Sequence, residues 1–313
     1  MKAAILEEFG KKLSIQDIDR PEVGEGEVLV KVKASGVNPV DYKLSEGYMK
    51  DRMPYEFPIV LGWDVAGEVV ENGHGAARFR VGEGVYAYAR RPLLHAGTFA
   101  EYIALPESYL SKKPVNISYE EAAAIPLAGL TAYQSLFDSA QLKAGEAILI
   151  LGASGGVGSY AVQLAKYHGA KVIAVASQKN HAYLEELGAD YCIDYKGQDV
   201  KEEVLKLAKE GVPVVFDAVG GDNTKIGADC LSKDGRIISI ASQGQDLKEG
   251  TDFRFVFVTP NSRQLDHMRE MVEAGTLKVH IQNTFSLEEV NEAFDQLRTG
   301  HTTGKVVIGL DSL

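Results

Sequence analysis

The residues best suited to chemistry lie in AILILGASGGVGSYAVQLAK, Ala147–Lys166. There an apolar strand runs straight into Gly152-Ala153-Ser154-Gly155-Gly156-Val157-Gly158, and an amphipathic helix follows at once. Glycine lets the backbone approach a pyrophosphate closely, and a helix N-terminus offers free N–H groups and a partial positive charge. The spacing is G-x-x-G-x-x-G rather than the commoner G-x-G-x-x-G, so its meaning comes from the strand before it and the helix after it. The turn is read as a dinucleotide cradle made by Gly152, Ser154, Gly155, Gly156, Val157 and Gly158. The second strand, KVIAVAS, ends at Ser177, with Gln178 and Lys179 behind it, and Tyr195 follows the third strand. A site that selects NAD carries Asp or Glu at that strand end for the ribose hydroxyls. A carboxylate would repel a 2′-phosphate, whereas Ser177, Lys179 and Tyr195 can bind one. The expected cofactor is NADPH; the competing reading of Lys179 is a solvated lysine in a first helical turn.

The cradle belongs to the second of two patterns. Residues 1–119 are dense in short β-like runs between turn residues, such as Val28–Val32, Val65–Val70 and Phe99–Leu105, with helical spacing only near Val40–Ser45. Strands so spaced suggest a small barrel or partly open sheet. SYEE, Ser118–Glu121, is a capping-box signature, and strand and helix alternate beyond it. Expected strands are Ala147–Leu151, Val172–Ala176, Tyr191–Ile193, Val212–Phe216 and Ile237–Ala241. Helices are expected over Gly156–His168, Asn180–Leu187, Val200–Glu210 and Asn223–Leu231. Near-continuous apolar strands in such alternation indicate a parallel sheet covered on both faces. A further helix near Ser262–Gly275, the segment Val279–Phe285, a helix near Leu287–Leu297 and a strand Lys305–Ile308 complete the chain. No linker separates the two patterns, which predicts two domains enclosing a cleft.

Composition narrows the partners. Across 313 residues, 33 Lys and Arg stand against 44 Asp and Glu, a net charge of −11. That balance disfavours nucleic acid and anionic membranes, whose phosphates need clustered cations. No apolar run approaches the ~18 residues of a spanning helix, and Glu7 and Glu8 fall where a signal peptide needs an apolar core. The two cysteines, Cys192 and Cys230, suggest neither a disulfide scaffold nor a four-cysteine zinc lobe, and a reducing cytoplasm is expected.

Nearly the whole chain resembles the zinc-independent medium-chain dehydrogenases/reductases, close to the quinone oxidoreductases related to ζ-crystallin. The resemblance rests on SGVNPVDYK (Ser35–Lys43), FPIVLGWDVAGEV (Phe57–Val69), AGTFAEY (Ala96–Tyr102), PLAGLTAY (Pro126–Tyr133), GASGGVG, FDAVGG (Phe216–Gly221) and TGKVVI (Thr303–Ile308). It implies an α/β protein: a Rossmann doubly wound parallel sheet over residues 122–259, plus a GroES-like β-barrel catalytic domain over 1–121 that the tail 260–313 completes. It also implies a homodimer paired through the Rossmann domain. The run Asp252–Val258 alternates Phe253, Phe255 and Phe257, which gives the sheet edge one apolar face. In the zinc-dependent branch the first ligand motif reads Gly-Val-Cys and the second Gly-His-Glu. Here they read Gly36-Val37-Asn38 and Gly62-Trp63-Asp64, and the histidines are scattered, so no metal is expected.

Without a metal, a developing alkoxide lacks a Lewis acid, and oxidising a simple alcohol becomes difficult. A quinone or an α,β-unsaturated carbonyl delocalises the arriving charge onto its oxygen, and needs only an oriented nicotinamide and a hydrogen bond. The expected activity is therefore NADPH-dependent reduction of quinones or enones; the competing class is a non-catalytic NADPH-binding protein, crystallin-like or redox-sensing. The family motifs place Asn38, Asp41, Tyr42 and Thr131 around the nicotinamide and acceptor. Asn38 would donate to the carboxamide or the acceptor oxygen, Thr131 would hold the nicotinamide, and Tyr42 or Tyr48 would donate to the reduced oxygen. Asp41 reads first as a helix cap and Trp63 as packing. Val219, Gly220, Ser239 and Ser242 fall at C-terminal ends of parallel strands, where ligands lie in this architecture, and the resemblance adds Lys305 to the cofactor set.

Overall fold

The computed structural model describes residues 1–310. The chain forms two compact units: Met1–Leu130 with Thr259–Gly275 and the segment from Val279 onward, and Thr131–Val258 with Thr276–Lys278.

The apolar strands of the second unit build a six-stranded sheet in the order Tyr191–Asp194, Lys171–Ala176, Ala147–Leu151, Val212–Asp217, Leu231–Ser239, Asp252–Phe255. Every pairing is parallel. In chain order these strands are third, second, first, fourth, fifth and sixth, so the winding reverses between Ala147–Leu151 and Val212–Asp217. Such a reversal opens a crevice at the strand C-termini, where ligands bind in doubly wound sheets. Helices Gly156–Tyr167, His181–Glu186, Val200–Leu207 and Asp222–Ala228 connect the strands. Leu149, Ile173, Val175, Val215 and Ile237 are buried in the sheet core.

The fifth strand departs from expectation at both ends. It begins at Leu231 rather than Ile237, because the polar run LSKDGR continues the pairing across a register shift opposite Val212 and Val214. Arg236 within it donates to the carbonyls of Ala140 and Gln141 and pairs with Glu146 at 2.8 Å, which anchors this polar run. It ends at Ser239 rather than Ala241, because the Ser239 hydroxyl accepts from the N–H groups of Ala241 and Ser242 and turns the chain.

The first unit carries a seven-stranded sheet. Its main path runs Ile281–Ser286, Lys305–Gly309, Glu27–Val37, Asp64–Asn72, Gly84–Tyr88, Leu110–Lys112, and Tyr102–Pro106 also pairs with Glu27–Val37. The C-terminal strand returns to this unit and lies antiparallel to Glu27–Val37, with Val306 opposite Val37. The apolar run Phe99–Leu105 is divided between two sheets. Ala100 bridges to Ala3 of a small antiparallel sheet ordered Ser14–Asp17, Lys2–Leu6, Ile59–Val60, and only Tyr102–Pro106 joins the large one. The Ser118 capping box forms in both directions, Glu121 N to Ser118 Oγ at 3.2 Å and Ser118 N to Glu121 Oε2 at 2.8 Å. Among the described residues no helix is long and apolar enough to cross a membrane.

Candidate active site

In the second unit the glycine turn follows Leu151 at the winding reversal. Gly152 has φ +73°, which side chains disfavour, and a Cβ on Gly158 would stand 2.2 Å from Gly152 O. Glycine at both positions lets the helix Gly156–Tyr167 start hard against the strand. Its N-cap, Gly155, supplies no side-chain cap, so the first-turn N–H groups are left to a ligand. A Cβ on Gly155 would meet only Gly152 O, at 3.4 Å, so that side of the turn is open. These features fit a pyrophosphate.

Asp217 organises the neighbouring turn. It is fully buried, and its carboxylate accepts from Val219 N and Gly220 N, each at 2.9 Å, from Thr224 Oγ1 at 2.6 Å and from Ser239 Oγ at 2.9 Å. Four donors satisfy a buried carboxylate that would otherwise be costly. The turn so held sets the Val219 side chain against Gly152, closing one flank of the cradle. Ser239 spends its hydroxyl on Asp217 and acts through the turns it holds; Ser242, half-buried, receives the N–H of Gly244. At the second strand end Ser177 is half-buried and Lys179 exposed, without an ion pair among the described residues. Asn180 Nδ2 donates to Ser154 Oγ at 2.9 Å, tying this segment to the glycine turn. Tyr195 is exposed, with the Lys196 ammonium 5.9 Å from its ring centre.

The first unit holds a second, buried polar cluster. Asn38 N donates to Asp41 Oδ2 at 2.7 Å, so Asp41 does cap the helix Pro39–Ser45. Asn38 Nδ2 donates to Asp64 Oδ2 at 2.8 Å, and the other oxygen of Asp64 accepts Leu127 N at 2.6 Å. Lys305, 4% exposed, donates to Asn38 Oδ1 at 2.5 Å and to Val37 O at 3.2 Å, and its ammonium lies 3.5 Å from Asp64. Burial disfavours charge on both partners, raising the Asp64 carboxyl and lowering the Lys305 ammonium, while each offsets the other's shift. Asp41 is pushed up to about 8, by burial first and by the charge of Asp64 after the opposing Asn38 hydrogen bond, and is a neutral acid at pH 7. Trp63 is buried against Tyr88, ring centres 6.1 Å apart, which is the packing role expected of it.

Tyr42 is half-buried beneath the Arg298 guanidinium, 5.2 Å from its ring centre. Burial and the nearby Glu46 raise its phenol above the usual range, so it stays a donor. Tyr48 is 68% exposed. Thr131 is buried in the helix Pro126–Tyr133, whose first turn Asp64 caps. Sequence reasoning passed over Asp64, Asp217 and Asn180. The available signal was a carboxylate inside an apolar run, GWDVAG and VVFDAV, since a buried charge needs partners. Among the described residues no group of three or more His, Cys, Asp or Glu is arranged to hold a metal.

Residues 24–115 match the alcohol dehydrogenase GroES-like domain and residues 187–308 the family described as zinc-binding dehydrogenase. The chain is 36% identical to an NADPH-dependent alkenal/one oxidoreductase of Arabidopsis thaliana, covering 98% of this chain and 79% of that one. It is 38% identical to a 2-methylene-furan-3-one reductase of Solanum lycopersicum, over 92% and 73%. The quinone oxidoreductase structure from Coxiella burnetii superposes with a TM-score of 0.87 at 34% identity, over 99% of both chains. The chain belongs to the medium-chain dehydrogenases/reductases, in the branch of the quinone and alkenal/one oxidoreductases.

Proposed function

We propose that the protein is an NADPH-dependent oxidoreductase that reduces quinones or α,β-unsaturated ketones and aldehydes by hydride transfer, without zinc. The observation that carries this is the Asn38–Asp64–Lys305 network. Asn38 stands where the resemblance puts the first ligand of the zinc-dependent branch and is held there by Asp64 and Lys305, and Trp63 stands where that branch has its histidine. An acceptor that delocalises its own charge suits such a site. The reduced nicotinamide supplies the hydride when bound. Asn38 donates to the acceptor's carbonyl oxygen as charge builds there, and Tyr42 or Tyr48 is the phenol that donates to the reduced oxygen. Residues 122–259 carry the cofactor, with Thr131 toward the nicotinamide and the uncapped turn Gly152–Gly158 toward the pyrophosphate.

The 2′-phosphate falls to Ser177, Lys179 and Tyr195. A charge-assisted hydrogen bond from Lys179 is worth about tenfold or more in affinity. Lys179→Ala is expected to raise the NADPH Kd by that factor and leave NADH unchanged, with Tyr195→Phe smaller in the same direction. Calorimetric titration of both cofactors decides it: equal shifts for the two would remove the phosphate role. The activity itself is tested by mixing protein, NADPH and a panel of quinones and enones and following loss of the reduced cofactor. Binding without turnover on any acceptor would instead indicate an NADPH-binding protein with no catalysis.

By the same proposal the protein is a cytoplasmic homodimer. Asp252–Phe255 is the edge strand of the parallel sheet, and Phe255 is 41% exposed on it. An apolar open edge is protected when a second copy pairs with it. Light scattering at micromolar concentration is expected to give twice the mass of the chain; a stable monomer would contradict the pairing.

A further inference from the structure

We infer that Asp64 and Lys305 are positioning residues for the reaction: they clamp the Asn38 amide from both ends and leave one Nδ2 hydrogen for the acceptor's carbonyl oxygen. The inference rests on the donor role proposed above for Asn38.

An asparagine amide can be turned over, exchanging oxygen and nitrogen. Here its two neighbours have opposite and exclusive chemistry. The Lys305 ammonium only donates and stands 2.5 Å from Oδ1; the Asp64 carboxylate only accepts and stands 2.8 Å from Nδ2. Turning the amide over would set donor against donor and carboxylate against carbonyl, so the pair selects one orientation. Nδ2 carries two hydrogens, and Asp64 uses one.

The clamp is itself held. Asp64 is fixed through its second oxygen by Leu127 N, and Lys305 by Val37 O. Gly36 makes room for it, since a Cβ there would stand 2.8 Å from Asp64 Oδ2 and 2.4 Å from Ala123 O. Pairing of Val306 with Val37 sets Lys305 beside Asn38, and pairing of Ala34 with Ala66 brings in the strand that starts at Asp64. The backbone N–H of Asn38 is bonded to Asp41, which leaves the side-chain amide as the part of Asn38 with a free hydrogen.

The test is a double-mutant cycle on kcat with an enone, joined to NMR of the cofactor-free protein carrying isotope-labelled asparagine. Asp64→Asn keeps the shape of the side chain but cannot accept from both Leu127 N and Asn38 Nδ2 without presenting its own amide hydrogens to one of them. Asn38→Ala and Asp64→Asn are each expected to lower kcat tenfold or more, and the double variant to lose no more than Asn38→Ala alone. The Asn38 amide resonances, assigned by their absence in Asn38→Ala, should be shifted and protected from exchange in the wild type. They should lose both properties in Asp64→Asn. Lys305→Met gives the same reading from the other end of the clamp should Asp64→Asn fail to fold, as unfolding midpoint and Trp63 emission would reveal. Losses that multiply, or an amide signature unchanged in the clamp variants, overturn the inference. Wild-type turnover by Asn38→Ala removes the donor role and the inference with it, while leaving the activity standing. If no acceptor is reduced, the activity fails, and the resonances alone decide whether the clamp exists.

Discussion

Gly158→Ala is expected to abolish NADPH binding and to lower the unfolding midpoint by many degrees. The added Cβ would lie 2.2 Å from Gly152 O, 2.7 Å from Ala153 Cα and 2.8 Å from Ala153 C. All three are backbone atoms of the turn, so no side-chain rotation relieves the clash. The helix Gly156–Tyr167 must move off the strand Ala147–Leu151, which opens the sheet core and displaces the N–H groups that would face the pyrophosphate. Overpacking of this kind costs about 1–3 kcal/mol, and more where only backbone can yield. Gly155→Ala is the control. Its Cβ would meet Gly152 O at 3.4 Å, an ordinary contact. Stability should fall by no more than about 1 kcal/mol, the cost of an alanine N-cap. NADPH affinity should still drop, because a methyl group then stands on the open side of the turn. Thermal unfolding and cofactor titration of the two variants separate the effects; wild-type values for Gly158→Ala would refute the packing argument.

The second large effect is in the pH dependence of stability. The buried Asp41 carboxyl is pushed up to about 8, against roughly 3.9 in an unfolded chain. Between those values the folded protein holds a proton that the unfolded chain releases. The stabilisation is therefore complete below about pH 4 and is lost as pH rises toward about 8, at up to about 1.4 kcal/mol per pH unit. Asp41→Asn cannot titrate. Its amide places a donor where Asp41 Oδ1 has no partner, a cost that is the same at every pH. The readout is consequently the slope. Unfolding free energies measured from about pH 5 to 8 should fall more steeply in the wild type than in the variant. Parallel curves would show that Asp41 is ionised in the folded protein at neutral pH.

Much of the fold was legible in local sequence. The parallel strands are short runs of Val, Ile, Leu and Ala that only a doubly covered sheet can bury, and the helix starts at Gly156, Val200 and Ser262 fall where periodicity and caps place them. What was hidden depends on tertiary partners. LSKDGR, between the expected helix Asn223–Leu231 and the expected strand Ile237–Ala241, carries no strand pattern of its own; it is a strand because Arg236 finds Glu146 and the Ala140 carbonyl about a hundred residues away. The glycine cradle was legible because its chemistry is contained in seven consecutive residues. The Asn38 cluster was not, since Asp64 and Lys305 reach it from 26 and 267 residues away, joined by strand register rather than by spacing. The resemblance puts Lys305 in the cofactor set, and in the fold its ammonium is held by Asn38 and lies beside Asp64. Ser239 likewise reads as a ligand-facing hydroxyl at a strand end, but faces Asp217.

Hydride transfer from NADPH onto a conjugated carbonyl can be followed by supplying NADPH deuterated at the transferable position of the nicotinamide together with an enone and locating the label in the product by NMR. One deuterium is expected on the carbon β to the carbonyl and none elsewhere. An unlabelled β-carbon, or reduced cofactor that binds and is never consumed by any enone or quinone, would contradict it.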